Sequence, residues 1–157
     1  MRIRLVVVGR EAPFLRAAVA EYRQRLDRYA ATQVHAVQPS VWPAAPAEPE
    51  AARLLAEEAG RIRPLWRGDR RVVLARDGVQ LPSEAVANWL GEMEGAGVQN
   101  VAVLVGGPGG VDASLAAEAY RRWSLGPQTL PHTLCAVVVL EQLYRGYRIL
   151  RGQPYHH

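Results

Sequence analysis

Residues 100–110 read NVAVLVGGPGG, and this stretch decides the fold. Val101 to Val105 are apolar without a polar break, which predicts a strand over Asn100–Val105 buried on both faces. A strand buried on both faces needs helices above and below it, and so belongs in a mainly parallel sheet. The run ends in Gly106, Gly107, Pro108, Gly109 and Gly110. In sheets of this kind ligands bind beyond the carboxyl ends of the strands, and glycine lets the main chain approach a ligand closely. The loop lacks the GxGxxG spacing, so a dinucleotide site is not supported. A tight strand-to-helix turn is the plainer reading of the same glycines.

Working outward, strand and helix patterns alternate. Arg2–Val8 alternates and then turns continuously apolar, as a buried strand does. The apolar part is too short for a secretion signal or a membrane span, so a cytoplasmic location is expected. Residues 13–29 carry Leu15, Val19, Tyr22 and Leu26 at helical spacing. Residues 32–38 read as a strand, and residues 39–49, with four prolines, as a loop. A helix is predicted over 50–62, and a strand over 71–75 closed by a turn at Arg76-Asp77-Gly78. Ser83 and Asp112 are expected to cap helices running to about Glu94 and Arg122, and Thr133 a last helix to about Leu150. The expectation is one α/β domain over residues 1–157, a layered sandwich on a mainly parallel sheet.

Composition removes several chemistries. The chain has no lysine, and its 19 basic residues are all arginine. That excludes a side-chain Schiff base and a lysine-bearing phosphate loop, whereas guanidinium still suits phosphate. The single cysteine, Cys135, excludes a disulfide framework and a multi-thiolate metal site; its apolar surroundings in sequence predict a structural thiol. No metal is expected. The net charge of +4 favours a nucleic-acid partner modestly. Arg61, Arg63, Arg67, Arg70 and Arg71 form one cluster, and Arg145, Arg148 and Arg151 another. A solvated surface and an RNA-facing patch are both open readings of the first.

A second irregular loop, Leu125, Gly126, Pro127, Gln128, Thr129, Leu130, Pro131, precedes His132. Two prolines and a glycine impose a rigid path that presents backbone groups, which could hold an adenine ring between Leu125 and Leu130. Glu141 and Arg145 stand i, i+4 in the last helix and can pair there. The chain closes with Tyr155, His156 and His157, either a frayed end or a polar segment that closes a site.

Taken together, VLVGGPGGVD, WSLGPQTLPHTL, LEQLYRGYRI and QPYHH resemble the ribosomal RNA large-subunit methyltransferase H family, as do the N-terminal RLVVVGR and VVLARDGVQLPSEAVANWL. The resemblance spans nearly the whole chain and is most specific over residues 104–157. It implies a SPOUT-class three-layer α/β sandwich with a C-terminal trefoil knot, acting as a homodimer. It implies methyl transfer from S-adenosyl-L-methionine to N3 of pseudouridine 1915 in 23S rRNA on the assembled ribosome. Carried over by position, the cofactor would meet Leu74, Gly106 and Gly107, and the run from Leu125 through Gly126, Pro127, Gln128, Thr129, Leu130 and Pro131 would wrap its adenosine. His132, Arg145, Tyr155 and His156 become candidates for catalysis or for ordering the substrate, with the tail reaching toward the partner chain's pocket.

The chain departs from the family pattern in places. Gly109 stands where the family has Glu, Ala136 where it has an arginine, and His157 where the tail ends in a basic residue. The loop over residues 39–49 carries none of the family's usual lysines. A lost Glu–Arg pair between positions 109 and 136 would leave neither charge stranded. Two other readings stay open on these departures: a catalytically weak ribosome-binding or assembly factor, and a SPOUT methyltransferase acting on tRNA.

Overall fold

A computed structural model describes residues 1–10 and 12–154. Its elements run β1 (Arg2–Val8), α1 (Pro13–Asp27), β2 (Ala31–Val37), α2 (Glu48–Ile62), β3 (Arg70–Gln80), α3 (Ser83–Gly95), β4 (Asn100–Val105), α4 (Ala113–Ala117), β5 (Arg121–Ser124) and α5 (His132–Leu150). The five strands form one sheet in the order β2-β1-β4-β3-β5, and every pairing is parallel.

β1 from Leu5 to Val8 and β4 from Val101 to Val105 are continuously apolar because helices cover both faces of the sheet. Ile3, Leu5, Val7, Val101, Val103 and Val105 pack in the layer that holds α1, α3 and α5. Val6, Val8, Ala102 and Leu104 point the other way, onto Ala59 and Ile62 of α2 and Leu115 of α4. The rings of Trp89 (α3) and Trp123 (β5) meet edge to face at 6.1 Å, a pair of the kind that adds about 0.5–1.5 kcal/mol beyond its buried area.

The structure corrects the expected elements at several points. β3 does not stop at Ala75. Leu74 and Val79 both lie opposite Trp123, so residues 75–78 leave the ladder and the strand then resumes as far as Gln80. The Arg-Asp-Gly signal marks a bulge rather than a terminating turn. Gly78 suits it, because a Cβ there would lie 2.7 Å from the main chain of Arg122.

α4 ends at Ala117 instead of running to Arg122. The Tyr120 amide donates to the Arg71 carbonyl at 2.7 Å, and the residues that follow pair with β3 as β5. Edge pairing overrides the helix-forming composition of that segment. Asp112 caps α4, its carboxylate accepting from the Ser114 amide at 2.9 Å. Ser83 and Thr133 do not cap their helices, whose N-cap positions are Pro82 and Pro131. Ser83 instead donates to Gln142 at 2.8 Å and ties α3 to α5.

Candidate active site

The carboxyl ends of β3, β4 and β5 open on a cavity of about 600 Å³, within the usual range for a small-molecule site. One wall is the loop after β4. Gly107 and Gly110 face each other as an isolated antiparallel bridge, with the Gly110 amide donating to the Gly107 carbonyl at 3.0 Å. The loop is therefore a tight turn with Pro108 and Gly109 at its corner. A Cβ on Gly106 would lie 2.5 Å from the Gly110 carbonyl oxygen, so this fold-back excludes any side chain at position 106.

The opposite wall is the segment after β5. Buried Ser124 fixes where it leaves the sheet. The Ser124 hydroxyl accepts from the Gly126 amide at 3.1 Å and lies 3.1 Å from the Arg76 carbonyl. Gly126 turns at φ +125°, which an L side chain rarely adopts. The floor comes from the bulge of β3, whose Arg76 also faces the space. Arg122 faces it too, while its guanidinium grips Asp77 at 2.6 and 2.8 Å.

Eight of the residues expected around a cofactor line this cavity: Leu74, Gly106, Gly107, Leu125, Gly126, Gln128, Thr129 and Leu130. Pro127 and Pro131 do not line it. Cys135 does, which its apolar sequence context did not suggest. Burial raises its thiol pKa, so it stays protonated near neutral pH, unlike an activated nucleophile.

Of the catalytic candidates, only His132 and Arg145 fall among the described residues. His132 lies outside the cavity lining, against the β1–α1 connection. Its Nε2 is 3.1 Å from the Arg10 carbonyl and therefore carries the proton of that hydrogen bond. Its ring fills the space where Gly9 lacks a side chain. His132 thus fastens the start of α5 to the end of β1. Arg145 does not line the cavity either; its Nε donates to Glu141 at 2.9 Å along α5. Tyr155, His156 and His157 lie outside the described residues.

Neither arginine cluster is a plain solvated patch. Arg63 donates to Glu118 at 2.7 Å and to Ser114 at 2.8 Å, and Arg71 binds the same Glu118, tying α2 and β3 to the end of α4. Arg70 lies over the ring of Tyr120 at 4.6 Å. Arg151 grips Glu94 at 2.9 and 3.0 Å and joins α5 to α3. Arg67 faces a second cavity of about 300 Å³, together with Arg2, Arg4 and Arg23, at the amino ends of the strands.

Positions 109 and 136 have different surroundings. A Cβ on Gly109 would point into the ring of Trp42, a residue of the β2–α2 connection whose indole N–H donates to Glu58 of α2. Ala136 is buried on the other face of the sheet, in the layer of α1 and α5. Among the described residues no group of three or more His, Cys, Asp or Glu is placed to hold a metal ion, and no helix is long and apolar enough to cross a membrane.

Comparison with known proteins adds a family to this geometry. The family model described as predicted SPOUT methyltransferase matches residues 1–156. The ribosomal RNA large subunit methyltransferase H of Streptococcus equi subsp. zooepidemicus is 35% identical over 158 residues, covering 99% of this chain and 99% of that protein. Among solved structures, a probable methyltransferase from Bordetella pertussis Tohama I superposes with a TM-score of 0.57 at 16% identity, over 92% of this chain and 95% of that one. A Legionella pneumophila structure with bound SAM gives 0.52 at 12% identity, over 91% of this chain and 65% of that one. At those identities the structural likeness is one of fold. The full-length family match and the 35% identical relative place the chain, with its parallel sheet and its cavity at the strand ends, in the SPOUT methyltransferase family.

Proposed function

We propose that the chain is an S-adenosyl-L-methionine-dependent methyltransferase of large-subunit rRNA, methylating N3 of the pseudouridine at position 1915 as a cytoplasmic homodimer on the ribosome. The observation that carries the reading is full-length similarity to a large-subunit rRNA methyltransferase, in a chain whose glycine loop and 125–130 segment frame a cavity large enough for the cofactor. The C-terminal trefoil knot belongs to the same reading.

The residues present suit the cofactor. The turn at 106–110 offers the main-chain groups of four glycines, and Gln128 and Thr129 supply polar contacts for a nucleoside. Leu125 and Leu130 supply the apolar faces that an adenine ring requires. When bound, the cofactor supplies a sulfonium-activated methyl group. The protein's share is chiefly to hold the acceptor nitrogen in line with that methyl group, an orientation effect.

The N3 proton must leave as the new bond forms. His156, His132 through its Nδ1, or solvent takes that proton; the His132 Nε2 proton itself is held by the Arg10 carbonyl. In the dimer, Tyr155 and His156 of one chain close the other chain's cavity.

Three measurements test the proposal. Titration calorimetry with S-adenosyl-L-methionine should give saturable one-site binding per chain; no binding would remove the cofactor from the account. Deleting residues 155–157 should leave the thermal melt unchanged and lower methyl transfer to ribosomes. An unchanged rate would return the tail to a passive end. Assembled ribosomes should accept methyl where free tRNA does not, and the reverse result would favour a tRNA enzyme.

A further inference from the structure

The connection between β2 and α2 holds an arrangement that the reaction as described does not use. Glu58 sits inside α2 at 2% exposure. Its Oε1 accepts from the Ser40 amide at 2.8 Å and from the Trp42 indole N–H at 2.9 Å. Both donors come from one short, proline-rich segment. A buried carboxyl needs such partners, and here they fasten that segment to the helix. Arg61 adds to the fastening by donating to the Ser40 hydroxyl at 2.8 Å.

The Trp42 ring then rests on the corner of the glycine loop. A Cβ on Gly109 would lie 2.1 and 2.2 Å from two ring carbons, so the indole occupies the volume a side chain at 109 would take. Neighbouring Val41 is 92% exposed, so Trp42 is the member of this pair that turns inward. Gly109 lines the cavity and Trp42 does not. The indole therefore presses on the loop without lining the ligand space.

We infer that Trp42, anchored by Glu58, is a positioning residue that braces the glycine loop and fixes the shape of the cofactor wall, with Gly109 as its matched partner. The brace acts through the loop and touches no ligand. It also accounts for the missing side chain at position 109: that space is filled by a residue from another element. The inference rests on the cofactor reading given above.

The test is calorimetric binding of S-adenosyl-L-methionine, with a thermal melt of every variant, for wild type, Trp42→Ala, Trp42→Phe, Gly109→Ala and the double variant Trp42→Ala/Gly109→Ala. Trp42→Ala should weaken binding about tenfold while the protein remains folded at the assay temperature. Trp42→Phe keeps a ring on Gly109 but loses the N–H to Glu58, and should fall between the two. Gly109→Ala should weaken binding in the wild-type background and cost little more in the Trp42→Ala background, because the clash is gone. In steady state the cofactor KM should rise and kcat at saturation hold.

Unchanged affinity in Trp42→Ala with a lowered melt would make the contact structural only and overturn the inference, as would strict additivity of the two substitutions. Should Trp42→Ala fail to fold, equal affinities of Trp42→Phe and Gly109→Ala to wild type would overturn it. If wild type itself binds no cofactor, the cofactor reading fails and the inference falls with it.

Discussion

Replacing Gly106 with alanine tests the fold-back of the glycine loop most sharply. The new methyl carbon would lie 2.5 Å from the Gly110 carbonyl oxygen, 2.8 Å from its carbon and 2.7 Å from Val111 Cγ2. Weak C–H···O contacts begin near ~3.3 Å, so the two arms must separate by roughly 0.8 Å. That movement stretches the 3.0 Å Gly110–Gly107 hydrogen bond beyond hydrogen-bonding range. Overpacking of this kind costs about 1–3 kcal/mol, and a lost hydrogen bond about 0.5–1.5 kcal/mol. The sum, about 1.5–4.5 kcal/mol, corresponds to a fall in Tm of roughly 3–18 °C for a chain of this size.

Calorimetry on the same samples should show weaker cofactor binding, because the displaced arm lines the cavity. Gly60→Ala is the control. A Cβ at that exposed position in α2 meets nothing within 4 Å, so the substitution should stabilise by about 0.5–1 kcal/mol. A Gly106→Ala variant that melts with wild type and binds cofactor normally would refute the reasoning.

Further outcomes follow from the same geometry. Gly107→Val should abolish cofactor binding because its Cβ would press on buried Val8 at 2.9 Å and drive the loop out of place; normal affinity would sink that assignment. Cys135 should react slowly with iodoacetamide at pH 8, since burial raises its thiol pKa, and more slowly still with S-adenosyl-L-methionine bound; a rate indifferent to cofactor would take the thiol out of the cavity wall. Asp112→Ala should lose about 1 kcal/mol of stability in urea melts through the missing cap on α4. The Ser114 hydrogen bonds lower the pKa of Asp112 in the folded state, so its contribution is present above the ordinary carboxylate value near ~3.9 and is lost as pH falls through the lowered one. Equal stability of variant and wild type at pH 7 would contradict this.

The central strands were readable from sequence because burial on both faces leaves an unbroken apolar run, as in β1 and β4. The edge was not. β5 is four residues, RRWS, with no periodicity of its own, and its pairing depends on β3, far away in sequence. The Arg76-Asp77-Gly78 signal reads as a turn that ends the strand, whereas the chain passes through a bulge there and the strand continues to Gln80. Whether the chain then turns away or rejoins the same ladder depends on what lies opposite, which is Trp123.

The glycine loop was legible as a close-approach segment, but the reason for its glycines was only partly so. Gly107 was expected to make room for a ligand, whereas the structure shows its missing Cβ sparing Val8, and Gly106 sparing Gly110. Trp42 does not stand out among four prolines. The signal that could have found it was an inward aromatic in a proline-rich loop followed by a Glu inside the next helix.

The most direct test of the account is methyl transfer from labelled S-adenosyl-L-methionine to ribosomes lacking the modification, with the labelled nucleotide mapped. The account predicts label on large-subunit rRNA at N3 of a single pseudouridine. Absence of label on rRNA, from a protein that demonstrably binds the cofactor, would contradict it.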